Sequence, residues 1–147
     1  MAAQLRSCQG AEDLLDLPFD GYFFTGSYKT GKYIYERVAP KMVPCQCELG
    51  GKDPLYVADD VADVESAAAS TADGAFYNNG QSCCALERIY IHEKIYDRYV
   101  DAFRKEVASW KRGAPTESGT YLGPLTRKDQ LLVLEKQIKD AVEKGAR

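Results

Sequence analysis

Apolar and polar positions along this chain change period several times, and each change marks an element. Ala11 to Leu17 reads as a short helical turn ended by Pro18. Asp20-Gly21 then leads into Tyr22-Phe23-Phe24, an aromatic run with the character of a buried strand. Thr25-Gly26-Ser27 breaks that run, and Tyr28 to Ala39 is helical up to Pro40. Met42 to Glu48 is a second strand, stopped by Gly50-Gly51, and Leu55 to Ala58 is a third.

Beyond Val61 the pattern becomes a helix of small residues, rich in Ala, running to about Asn78 and suited to close packing on a sheet. Arg88 to Ile91 is strand-like again. Glu93 to Trp110 predicts an amphipathic helix, because Ile95, Tyr99, Phe103 and Val107 recur every four residues on one face. Gly113 to Pro124 is a loop. Thr126 to Lys144 closes the chain as a helix, with Thr126 as N-cap and Asp129 in the first turn. Strands alternating with helices give an α/β protein with a largely parallel sheet.

Composition narrows the function classes. The 147 residues suit one domain or a cut through a larger one, and 45% hydrophobic with 28% charged residues is globular usage. The ten Tyr supply apolar area for a core and argue against disorder. A formal net charge of -3 leaves no basic surplus for a nucleic-acid partner. No apolar run approaches a membrane span, and Met1 to Gly10 lacks a signal-like core, which predicts a cytoplasmic (cytosolic or stromal) setting unless a targeting segment is missing. The odd set Cys8, Cys45, Cys47, Cys83 and Cys84 predicts reduced thiols and no disulfide framework.

Three segments carry candidate chemistry. In Phe76-Tyr77-Asn78-Asn79-Gly80-Gln81-Ser82-Cys83-Cys84-Ala85, a Gly ahead of a Cys lets the backbone turn sharply and expose a thiol. On its own, Cys83 fits a buried structural cysteine as well. In Cys47-Glu48-Leu49-Gly50-Gly51-Lys52, Glu48 stands at a strand end before two glycines, where it serves as a general base or as a surface partner of Lys52. Phe24-Thr25-Gly26-Ser27, leading on to Gly31, is a strand-turn-helix that presents N–H groups to a phosphate or makes a plain turn. A thiol–metal reading of Cys45, Cys47, Cys83, Cys84 and His92 fails on spacing, so no metal site is expected. His92 is a strand–helix junction residue, and Trp110 a packing residue.

In content, order and spacing the three segments together resemble the aldehyde dehydrogenase superfamily. Glu87-Arg88-Ile89 and Gly123-Pro124-Leu125 extend the resemblance over nearly the whole chain after Leu14. It implies an oxidoreductase that converts a small-molecule aldehyde to a carboxylic acid with NAD or NADP. Cys83 would be the nucleophile, passing through a thiohemiacetal and a thioester, and Glu48 the general base. Cys84 would be dispensable. Gly26, Ser27 and Gly31 would lie at the cofactor pyrophosphate, Leu49 and Gly50 near the nicotinamide, and Tyr77 beside the substrate. Cys47 departs from the family's usual aliphatic residue, at little expected loss.

The resemblance also implies a partial Rossmann-like fold. Residues 1–58 would be the latter part of the cofactor-binding domain, and residues 59–147 the first part of the catalytic domain. At about a third of the usual length, the chain alone is expected to be inactive or poorly folded; at full length, a homo-oligomer is expected. The alternative is a non-catalytic remnant that binds or assembles with full-length relatives.

Overall fold

The computed structural model describes residues 12–146, so the expectations for Met1 to Gly10, for Cys8 and for Ala11 lie outside the described residues. The chain separates into two compact units, Met1–Gly51 and Lys52–Arg147.

In the first unit a helical turn at residues 12–14 precedes Pro18. Strand β1 (Tyr22–Gly26) follows, then helix α1 (Tyr28–Val38) and strand β2 (Cys45–Leu49). β1 and β2 pair in parallel, with Tyr22 opposite Cys45, Thr25 opposite Glu48 and Gly26 opposite Leu49. A parallel pair needs a crossover, and α1 supplies it. Ser27 starts that helix by accepting a hydrogen bond from the Thr30 N–H at 3.2 Å. The helix gives way at Ala39-Pro40-Lys41 to a short 3-10 turn closed by Met42 in the left-handed region, φ 56°.

Leu15, Tyr22 and Val38 are the buried centre of this unit, with Phe19, Ile34, Val43 and Cys45 packed against them. Only part of the aromatic run is buried: Tyr22 turns inward, whereas Phe23 points out and is 85% exposed. Strand alternation forces this, since neighbouring side chains leave opposite faces. The buried Tyr22 hydroxyl donates to the Leu17 carbonyl at 2.9 Å, and the Lys41 ammonium donates back to that hydroxyl at 2.9 Å.

The second unit repeats the motif. Strand β3 (Asp53–Val57) leads into helix α2 (Val64–Phe76), and strand β4 (Leu86–Ile91) returns parallel to β3. Helix α3 (Tyr96–Ser109) follows a 3-10 turn at Glu93–Ile95. His92 caps that turn: its Nδ1 accepts from the Lys94 N–H at 3.3 Å. The small residues of α2 matter here. Ala68 and Ala72 are wholly buried, and Ala68 forms one core with Val57, Val64 and Tyr99. Ile95 and Phe103, on the predicted face of α3, pack against that core. Asp63 caps α2 by accepting from the Ser66 N–H at 3.0 Å.

Trp110 lies edge-on to Phe76 and against Tyr121, its ring centroid 4.5 Å away, in the packing role expected of it. Helix α4 is Asp129–Glu143, with Asp129 in its first turn. Thr126 is not its cap. The helix begins later, without a side-chain cap at Lys128, and the Thr126 N–H instead donates to Gln81 Oε1 at 2.9 Å. No helix among the described residues is long and apolar enough to cross a membrane.

The α2–α3 contact predicts the effect of enlarging it. Ala68→Leu should destabilise the second unit by about 1–3 kcal/mol, because a close-packed site must distort to admit the added carbons. Urea unfolding followed by Trp110 fluorescence reads this as a lower midpoint; an unchanged midpoint would mean that Ala68 lies in a loose site.

Candidate active site

The cysteine loop is set by its backbone. After α2, Asn78 (φ 51°), Asn79 (φ 57°) and Gly80 (φ 71°) take left-handed conformations in succession. Asn tolerates that region better than other side-chain-bearing residues, and Gly adopts it freely. A Cβ at Gly80 would also stand 3.2 Å from the Ala75 carbonyl oxygen. The run reverses the chain at the end of the helix and brings Cys83 and Cys84 to the surface, both exposed, before Ala85 returns to the interior.

Side-chain amides hold the reversal. Asn79 Nδ2 donates to the carbonyls of Gly123 and Pro124 at 3.0 and 3.1 Å. Gln81 spans the same gap differently: its Nε2 donates to the Asn78 carbonyl at 2.9 Å while its Oε1 accepts from Thr126. The Gly123-Pro124-Leu125 segment is thus a physical neighbour of the cysteine loop, although 40 residues or so separate them in sequence. Asn79 and Gln81 were absent from the candidates. The Asn-Asn-Gly run carried a signal for the left-handed turn, but nothing for the partners of the amides.

The polar network around the thiols centres on Cys84. Its Sγ lies 3.4 Å from Ser82 Oγ and 3.3 Å from the Tyr77 hydroxyl, which also bonds to Ser82. The hydrogen bonds from Ser82 and then from Tyr77 favour the thiolate and hold the Cys84 pKa below the ordinary thiol value. The same contact acts in reverse on the phenol. Tyr77, hydrogen-bonded to Cys84, has its pKa raised. The sequence singled out Tyr77 as a wall beside the substrate; the structure turns its hydroxyl to the loop itself.

In the first unit the remaining candidates gather at one edge. Gly26 and Leu49 are register partners at the C-terminal ends of the parallel strands, where open α/β sheets bind ligands. Ser27 begins α1 from that edge. Gly31 lies on the buried side of α1, and a Cβ there would stand 2.6 Å from Leu49 Cδ2, so a larger residue would make the Leu49 side chain shift. Gly50 is open, with nothing within 4 Å of a Cβ built on it.

Glu48 is exposed beside this edge, and its Oε1 accepts from Gln46 Nε2 at 3.2 Å. Lys52 is engaged elsewhere: its ammonium pairs with Glu87, and its carbonyl accepts from Arg88 Nε at 2.7 Å. Within its own unit, Glu48 is partnered by Gln46. Gly26, Ser27, Gly31, Glu48, Leu49 and Gly50 belong to the first unit, Tyr77 and Cys83 to the second. Among the described residues no three His, Cys, Asp or Glu side chains gather as metal ligands.

The thiol network predicts a reactivity difference. In a Cys83→Ala background, Ser82→Ala should shift the pH midpoint of Cys84 alkylation upward and slow the reaction several-fold near neutral pH, since the thiolate loses its first stabilising bond. Iodoacetamide kinetics with mass detection measure it, and an unmoved midpoint would show the hydroxyl to be a spectator.

Comparison with known proteins places this geometry. The model of the "Aldehyde dehydrogenase family" matches residues 16–147. The chain is 41% identical over 128 residues to the peroxisomal aminoaldehyde dehydrogenase 1 of Malus domestica, covering 87% of this chain and 25% of that protein. Its backbone is similar to the aldehyde dehydrogenase of Mycobacterium tuberculosis complexed with NAD+, at TM-score 0.88 and 32% identity, over 92% of this chain and 28% of that one. A Cys-to-Ala mutant of an aldehyde dehydrogenase from Pseudomonas syringae, solved with NAD+ and octanal, matches at TM-score 0.81 and 27% identity, over 86% of this chain and 26% of that one. The chain spans about a quarter of the length of the curated relatives it matches. Its left-handed cysteine turn, its parallel strand ends and the match from residue 16 onward converge on one assignment: the chain belongs to the aldehyde dehydrogenase family.

Proposed function

We propose that this chain carries the nucleophile and the general base of an enzyme that oxidises an aldehyde to a carboxylic acid with NAD or NADP. The observation that carries the reading is the exposure of Cys83 just beyond the left-handed run Asn78–Gly80, in a chain of this family. Two neighbours in fold were solved with NAD+, one of them also with octanal, which supports the cofactor and the substrate class.

Residues 1–58 then form the latter part of a cofactor-binding domain and residues 59–147 the first part of a catalytic domain. The first compact unit ends earlier than that join, at Gly51. The C-terminal edge of β1 and β2 fits a dinucleotide. Gly26 and Ser27 lie where the helix begins, suited to a pyrophosphate, and the open surface at Gly50 beside Leu49 leaves room for a ring. A bound nicotinamide supplies the hydride acceptor that the oxidation needs.

The protein's own part has three steps. The Cys83 thiolate adds to the carbonyl carbon, a C–S bond forms, and the carbonyl π pair moves to oxygen. The Cys83 N–H donates to that oxyanion, where charge develops. Once the carbon has been oxidised, a thioester remains on Cys83, and Glu48 takes a proton from the water that attacks it, releasing the acid and the thiolate. Tyr77 stands beside the cysteine pair as an aromatic wall for the substrate. The full-length form is a homo-oligomer in the same reading.

In the native enzyme Cys83→Ala should abolish aldehyde oxidation, and turnover sustained by Cys84 would move the nucleophile by one residue. Glu48→Gln should lower the steady-state rate roughly a hundred- to ten-thousandfold while sparing the first burst of NADH. Stopped-flow absorbance separates the two phases. A normal steady-state rate would remove Glu48 from the mechanism.

A further inference from the structure

Outside the proposed chemistry, one pair of nucleophilic side chains is brought together by the fold. Cys45 and Cys47 are free, both half-buried, and alternate strand geometry puts them on the same face of β2. Their sulfurs lean toward each other to 3.9 Å, and Cys47 Sγ also lies 3.9 Å from the Gly31 carbonyl oxygen. Each opens to a cleft. The one at Cys47 is lined by Tyr28, Gly31, Lys32 and Leu49, and the one at Cys45 by Tyr35, Val38 and Met42. A small oxidant therefore reaches both.

We propose that Cys45 and Cys47 are an oxidative modification site, at which a peroxide closes an intrastrand disulfide that unpairs β2 from β1. The step balances as follows. One thiolate, taken here as Cys47, attacks a peroxide oxygen; the S–O bond forms, the O–O bond breaks, and the departing hydroxide takes a proton to become water. The resulting sulfenic acid is attacked by the Cys45 thiolate, so that the S–S bond forms, the S–O bond breaks and a second water leaves. Two thiols lose two electrons, and the peroxide gains them.

Backbone geometry makes the product a switch. Residues two apart on an extended strand hold their Cα atoms, and with them their same-face Cβ atoms, roughly 6.6 Å apart, whereas a disulfide needs its Cβ atoms about 4 Å apart. Closure draws them together and bends the strand at Gln46. Tyr22–Cys45 and Phe24–Cys47, which bracket that bend, are register pairs, so the ladder to β1 is lost there. Cys45 is also packed against the Leu15, Tyr22 and Val38 core and is pulled away from it. A disulfide closed against such strain is readily reduced, which suits a reversible site. Burial, together with the hydrogen bond and charge of Cys47, raises the Cys45 pKa, so closure accelerates as pH rises toward thiol ionisation.

The site stands on the strand alone and is independent of the roles proposed for Cys83 and Glu48. Its test treats the native protein with hydrogen peroxide, blocks free thiols and digests with trypsin. The tryptic peptide 42–52 contains both cysteines and no other. The expected product is that peptide lighter by two hydrogens and closed to alkylation, restored by dithiothreitol. Amide exchange in β2 should rise in the oxidised protein. Cys45→Ser should leave Cys47 with a sulfenic acid that dimedone captures. Recovery of the peptide with both thiols alkylated, with separate oxygen adducts, or bridged to another cysteine would overturn the site. A closed disulfide with unchanged exchange in β2 would overturn the unpairing.

Discussion

The left-handed run from Asn78 to Gly80 is the constraint on which the cysteine loop depends. Helix α2 is built to stay close to its sheet, with Ala68 and Ala72 wholly buried, so continuing it would carry the following residues along the same face. Tyr77, with ψ 144°, stops it, and three successive positive φ values then turn the chain outward. Such a run is unfavourable for residues with a Cβ. Asn79 Nδ2 donates to the Gly123 carbonyl and Gln81 Oε1 accepts from the Thr126 N–H, which ties the turn to that segment. Two distant stretches of sequence thereby fix where the thiols stand.

A second constraint governs the first unit. The crossover helix α1 packs on β2 at Gly31, where the Leu49 side chain occupies the space a Cβ would need. Strand pairing sets Gly26 opposite Leu49, and Ser27 starts the helix directly after it. Local chemistry and packing agree here, as expected of a sequence that specifies one arrangement. Glycine serves a different purpose in each unit. At position 80 it supplies a backbone conformation, and at position 31 it supplies space.

Element type was legible wherever a period repeated for two turns or more. The four-residue spacing of Ile95, Tyr99, Phe103 and Val107 located α3, and the Ala-rich stretch located α2. Element ends were less legible, because they depend on side chains that compete for the same backbone groups. Thr126 resembled a cap and is instead bound through its N–H to Gln81, a partner 45 residues away that periodicity does not encode. Phe23 resembled core until strand pairing turned it outward. The candidate residues follow from motif resemblance, whereas their placement depends on contacts between distant segments. Nothing in Gln-Ser-Cys-Cys announces that Ser82 and Tyr77 hydrogen-bond to the second thiol and not the first.

That last feature sharpens the central question. Hydrogen bonds from Ser82 and Tyr77 favour the thiolate of Cys84, whereas the proposed mechanism puts the covalent chemistry on Cys83. Neighbouring exposed thiols differ in what they contact, and a nucleophile must also meet the substrate carbon at the right angle. The most direct measurement is to trap the acyl group. The Glu48→Gln form of the native enzyme is mixed with aldehyde and NAD+, quenched in acid and sequenced by tandem mass spectrometry. An acyl thioester on Cys83 is the predicted result, and an acyl group on Cys84, or none on either sulfur, would contradict it.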